Sequence, residues 1–183
     1  GAVKAGHKVL INGASGGVGT FAVQIAKSMG ADVTGVCSTR NVELVRSLGA
    51  DRVIDYTRED YASGGQRYDV ILDMVGNRSL RENRRALKPG GTLVIVGGPN
   101  EGRWIGAMSG PIKAAMLAPF VDEQLLFYIA ELNQEDLTTL GNLLRQGSIK
   151  PVIDRHYSLA EVPAAISYIE QGRARGKVII DIA

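Results

Sequence analysis

The chain is poor in the residues that would point to metal or disulfide chemistry. It has a single cysteine, Cys37, among 183 residues, so no internal disulfide can form. A lone thiol suits a reducing compartment, and the cytoplasm is the expected location. There are only two histidines, His7 and His156. With Cys37 they show no metal-ligand spacing, so no metal is expected. Neither sign of charge dominates: the net charge is +2 with 22% charged residues. That gives no broad basic field for nucleic acid or an anionic membrane surface, and neither partner is expected. No apolar run is as long as a membrane span, and no signal-peptide pattern opens the chain. Repeats and low-complexity segments are missing too.

What the chain does have is short apolar runs, many of them β-branched, with 45% hydrophobic residues overall, enough for a sizeable core. They stand at Lys8–Ile11, Asp32–Cys37, Arg52–Asp55, Tyr68–Val75, Gly91–Gly97 and Gln124–Ala130. Helical patterns lie between most of them. Phe21, Ile25 and Met29 recur four apart, which predicts an inward face for a helix over 20–29. Leu44, Val45 and Leu48 form a second face, with Asn41 in the N-cap position. Residues 80–87 carry a third, weaker pattern. Strands alternating with helices predict a parallel sheet covered on both faces, an α/β doubly wound fold.

The glycines have a place in that scheme. "VLINGASGGVGT" follows the first strand and opens the first helix. Ala14-x-Gly16-x-x-Gly19 fits the dinucleotide-binding pattern with alanine at its first position. The middle glycine lets backbone approach a pyrophosphate, and the last lets helix pack on strand. The helix N-terminus offers N–H groups to phosphate oxygens. NAD sites place an acid at the end of the second strand for the ribose hydroxyls. Here Cys37 stands there, followed by Ser38, Thr39 and Arg40. Hydroxyls and a guanidinium suit a 2′-phosphate, so NADP(H) is the expected cofactor. The plainer readings are a glycine turn with no ligand and a polar turn that caps a helix at Asn41. The second does not explain the missing acid. "LKPGGTLVIVG" also suits an adenosylmethionine-dependent methyltransferase, but Cys37 and the lack of a final antiparallel hairpin pattern oppose that.

From Val9 to Tyr56, and again through "YDVILDMVGN", "LKPGGTLVIVGG" and "GSIKPVIDRHYSLAEVPAAISYIEQGRARGKVIID", the sequence resembles the cofactor domain of the medium-chain dehydrogenase/reductase superfamily. It is most similar to the zinc-independent quinone oxidoreductase and alkenal reductase branch. Residues 100–122 carry no firm match. The resemblance implies a Rossmann sheet of order 3-2-1-4-5-6. It implies an NADP(H)-binding domain over 1–147 and, over 148–183, a segment that returns to a catalytic domain whose N-terminal half this sequence lacks. It places Ala14, Ser15, Gly16, Gly17 and Val18 at the pyrophosphate, and Ser38 and Arg40 at the 2′-phosphate. Tyr56 reaches that phosphate or the adenine. Val75 and Gly97 line the nicotinamide, Phe127 flanks it, and Lys177 assists at the phosphates. From neighbours alone, Tyr56 reads as an end-of-strand aromatic, Phe127 as core and Lys177 as a solvated lysine.

The implied reaction is hydride transfer from NADPH to a quinone or an α,β-unsaturated carbonyl. No catalytic residue is assigned. Asp73 and Tyr128 are within reach as proton donors, and Asp73 reads better as structural. His156 reads as a surface or capping residue. An enoyl-reductase module of a polyketide or fatty-acid synthase is the alternative, and a non-catalytic NADP(H) sensor a third reading. Apolar, proline-free 124–130 at the sheet edge predicts a homodimer.

Overall fold

The computed structural model describes residues 1–96, 122–128 and 133–182. A six-stranded sheet runs β3-β2-β1-β4-β5-β6, with every pairing parallel. Its strands are β1 (Lys8–Asn12), β2 (Asp32–Cys37), β3 (Arg52–Asp55), β4 (Tyr68–Asp73), β5 (Leu87–Val96) and β6 (Gln124–Tyr128). The expected strand order is the observed one. Parallel pairing of β5 with β6 departs from the methyltransferase alternative. Gly97, Ile129 and Ala130, placed in strands by the sequence, lie outside the described residues.

Side-chain alternation along β1 buries both faces of the sheet. Val9 and Ile11 join Val23, Ala26 and Val33 on one side. Leu10 joins Val36, Ile54, Ile71 and Leu93 on the other. Helix α1 (Gly19–Ser28) covers the first side, with Thr20, Val23 and Ala26 turned inward. The predicted stripe is therefore corrected. Ile25 is half-buried and Met29 is 45% exposed, both lining an apolar groove beside the packed face. Small residues let the helix axis approach the sheet, and larger ones are displaced to its flanks.

Helix α2 (Val42–Ser47) follows a short 3-10 turn at Thr39–Asn41, and α3 (Leu80–Ala86) opens on a Ser79–Glu82 capping box. Leu87, predicted to end α3, instead begins β5. Helix α4 (Gln134–Arg145) leads to a second, two-stranded parallel sheet of β7 (Ile153–Ser158) and β8 (Lys177–Asp181), joined through α5 (Val162–Glu170). His156 on β7 faces Asp181 on β8 at 3.1 Å, an exposed pair. This C-terminal unit bonds directly to the larger sheet's helical layer. The Gln24 side chain donates to the Lys150 carbonyl and accepts from the Lys150 amide, at 2.9 and 2.8 Å.

Candidate functional site

Past Asn12 the backbone turns at Gly13 with φ +88°, open to glycine and costly for other residues. The Gly13 and Ala14 amides both donate to the Val36 carbonyl, at 3.2 and 3.0 Å, clamping the loop to β2. Gly19 fits against this turn without a side chain, because a Cβ there would collide with the Gly13 carbonyl oxygen and the Ala14 backbone. Gly16 differs. A Cβ at Gly16 would meet only the Gly13 oxygen at 3.4 Å, so its missing side chain leaves free room. That room opens on a cleft of about 880 Å³ beyond the carboxyl ends of β1, β2 and β4. Ser15, Gly16, Gly17 and Val18 form one wall, at the positive end of α1.

The ends of β2 and β3 form the second wall, with Ser38, Thr39 and Arg40 after β2 and Tyr56 after β3. Cys37 is 2% exposed. Burial first, then the negative charge of Asp55, pushes its thiol up to about 11, so it stays neutral and unreactive at neutral pH. Asp55 is the nearest acid, paired in register with Cys37. Its carboxylate accepts from the Thr39 hydroxyl at 2.6 Å and from the Thr57 hydroxyl and amide at 2.8 and 3.0 Å. The Thr39 bond leads the effects that hold it below the usual carboxylate range. Asp55 and Thr39 thus satisfy each other, and Ser38 and Arg40 remain for a ligand. The Arg40 guanidinium donates to the Arg173 carbonyl at 2.7 Å. Asn41 does not cap α2 with its side chain as predicted. Its amide donates to the hydroxyls of Ser15 at 2.9 Å and Ser38 at 3.3 Å.

The third wall comes from the far end of the sequence. Gly172, Arg173 and Ala174 line the cleft, and the Gly176 amide donates to the Ser15 carbonyl at 3.0 Å. Lys177 lies beside the glycine loop, its Nζ 3.3 Å from where a Cβ on Gly17 would stand. Val75, 48% exposed, and Tyr56, 56% exposed, stand at the rim. Ala14 is fully buried behind the loop. Phe127 sits half-buried on β6 next to Ile95, and neither it nor Tyr128 lines the cleft.

Asp73 is built into the β4 turn. It is 1% exposed and accepts from the Asn12 amide at 2.9 Å, the Val75 and Gly76 backbone at 3.1 and 3.0 Å, and Asn83 at 3.3 Å. Its lone pairs are committed to shaping the turn, which sets aside the proton-donor alternative. Sequence reasoning overlooked Asn12, Asn77 and Arg173, all in the cleft wall. Only Arg173 had a visible signal, the basic run "GRARGK". Among the described residues, no three His, Cys, Asp or Glu side chains converge as a metal ion would need.

The zinc-binding dehydrogenase family matches residues 48–180. The chain is 38% identical to the mitochondrial NAD(P)H oxidoreductase RTN4IP1 of Mus musculus over 97% of its own length and 48% of that protein. It is 35% identical to the trans-enoyl reductase pgmF of Aspergillus terreus, covering 97% of the chain and 52% of the relative. The quinone oxidoreductase of Coxiella burnetii superposes with a TM-score of 0.84 at 29% identity, over 99% of this chain and 54% of that one. The chain spans about half the length of the relatives it matches.

Proposed function

The chain belongs to the zinc-binding dehydrogenase family, and from that premise we propose that it is the NADP(H)-binding part of an oxidoreductase that reduces a quinone or an α,β-unsaturated carbonyl. One observation carries the cofactor choice. Among the described residues, the acid beside the end of β2, Asp55, is engaged by Thr39 and Thr57, while Ser38 and Arg40 line the cleft. A 2′-phosphate finds donors there, and a bare ribose finds no free carboxylate.

The residues divide the work by position. Gly16, Gly17 and Val18 present backbone at the start of α1 to a pyrophosphate. Ser38 and Arg40 receive the 2′-phosphate, with Arg173 adding positive charge from the opposite wall. Val75 and the Asp73-braced turn border the nicotinamide end. The bound nicotinamide supplies the hydride, and the protein holds and orients it. The similarity to a trans-enoyl reductase favours a second reading, an enoyl reductase of a synthase, which uses the same cofactor site on a related conjugated double bond.

Calorimetric titration with both nucleotides tests the cofactor. NADPH is expected to bind more tightly than NADH, and Arg40→Ala to weaken NADPH by about tenfold or more while leaving NADH little changed. Equal affinities in the wild type would overturn the reading. For the acceptor, NADPH oxidation by the full-length protein with quinones and with enoyl thioesters separates the two substrate classes. We further propose a homodimer through β6, the outer strand of the sheet, and a cytoplasmic location, tested against the mitochondrial setting of the Mus musculus relative by imaging the full-length protein in cells.

A further inference from the structure

We propose that Asn41 is a positioning residue that aims two serine hydroxyls into the cleft, one at the pyrophosphate and one at the 2′-phosphate of NADPH. The inference rests on the NADP(H) reading above.

Asn41 is 4% exposed, in the turn between β2 and α2. The ordinary duties of its neighbourhood are unfilled: α2 receives no side-chain cap from Asn41, and the 3-10 turn receives none from Ser38. Instead the Asn41 Nδ2 reaches Ser15 Oγ in the glycine loop and Ser38 Oγ at the end of β2. One amide group thus joins two segments that approach the cleft from different strands.

A primary amide nitrogen carries two hydrogens, and a hydroxyl carries one hydrogen and two lone pairs. Each contact uses one amide hydrogen and one serine lone pair. The serine hydrogen then cannot point back at Asn41. Among the described residues neither hydroxyl donates to a protein acceptor, and both serines line the cleft. Their hydrogens are left for an acceptor within it. Ser15 adjoins the N-terminus of α1, where a pyrophosphate would lie, and Ser38 adjoins Arg40. Accepting from the amide also polarises each O–H and strengthens it as a donor to an anion. Aspartate has the same shape as asparagine but only accepts, and would turn both hydrogens away from the cleft.

The two serines separate the two cofactors. The pyrophosphate is common to NADH and NADPH, whereas the 2′-phosphate belongs to NADPH alone. Removing the amide weakens NADH through Ser15 and NADPH through both serines.

The test is fluorescence titration of the full chain with NADPH and NADH, comparing wild type, Asn41→Leu, Ser15→Ala, Ser38→Ala and the two double variants. Asn41→Leu is expected to weaken NADH by roughly tenfold and NADPH by roughly a further tenfold, the scale of one charge-assisted hydrogen bond each. The extra NADPH loss should vanish in the Ser38→Ala background and the shared loss in the Ser15→Ala background, because residues acting through one another are not additive. Asn41→Ala gives the same comparison without added bulk should the leucine variant not fold. Equal weakening of both cofactors that persists in both serine backgrounds, or an unchanged affinity ratio, would overturn the proposal. A wild type that binds both cofactors equally overturns the cofactor reading itself, and this one with it.

Discussion

Glycines at two positions of the same loop carry different physical burdens. Gly19 is a packing residue: a methyl there meets backbone, which cannot move aside. Gly19→Ala is expected to cost about 1–3 kcal/mol and to lower the thermal midpoint, read by calorimetry. Gly16 is a clearance residue, with ordinary φ and only the Gly13 oxygen near where a side chain would go. Gly16→Ala should leave the midpoint nearly unchanged while cutting nucleotide affinity about tenfold, since backbone can no longer touch the phosphates. Equal effects on stability from the two substitutions would contradict this division. The spacing of the loop was legible in the sequence because glycine is the one residue whose absence of a side chain is its message. Asn41 was misread because an asparagine before a helix carries the same sequence signal whether it caps or bridges. Only the approach of Ser15, 26 residues earlier, distinguishes the two.

At the scale of elements, the strands and their order followed from β-branched apolar runs, because a strand buried on both faces needs little beyond its own composition. Helix faces were less legible. The bulky stripe Phe21–Ile25–Met29 was the obvious period, yet the sheet took the small residues. Least legible was the loop between α5 and β8, where polar residues give no periodicity. Its anchor is Asp154 on β7, whose carboxylate accepts from the Tyr168 hydroxyl at 2.6 Å and the Arg175 amide at 2.9 Å. Burial alone would raise this carboxyl. The bonds from Tyr168 and Arg175, with the Arg175 charge, outweigh burial and hold it below its ordinary range. A carboxyl lowered by folding stabilises the folded state above its ordinary pKa and loses that contribution as pH falls through the folded one. The loop carrying Arg173 should therefore loosen only in acid below the ordinary carboxylate range, and near neutral pH, where Asp154 stays ionised, NADPH binding should not change with pH on its account. Asp154→Ala should imitate acid at pH 7 by removing the acceptor of Tyr168 and Arg175, read as a lower thermal midpoint. It should weaken NADPH more than NADH by releasing Arg40 from the Arg173 carbonyl. An unchanged affinity ratio in Asp154→Ala would disprove that linkage.

At the scale of the whole molecule, β6 is hydrogen-bonded to β5 and stands at the edge of the sheet among the described residues. Leu126 and Tyr128 on it are 44% and 50% exposed, alternating with half-buried Leu125 and Phe127. An apolar edge strand favours pairing with another strand. Light scattering is expected to give a dimer for the wild type and a monomer for Leu126→Pro, since proline removes an edge donor. A dimer that survives that change is held elsewhere. The cleft itself is open at Val75, so the chain on its own is expected to bind NADPH but to reduce acceptors at well below 1 per second, for want of acceptor positioning and water exclusion. A binding titration and an oxidation assay on one sample check both halves of that statement. The third wall of the cleft also fixes a moment in the protein's synthesis. Arg40 meets its carbonyl partner 133 residues later in the chain, and Ser15 meets Gly176 later still. A ribosome can release the whole six-stranded sheet while the cleft still lacks a side. A chain stopped just short of Gly172 keeps the glycine loop, Ser38 and Arg40 but lacks that wall, and is expected to bind NADPH more weakly than the full chain in a fluorescence titration.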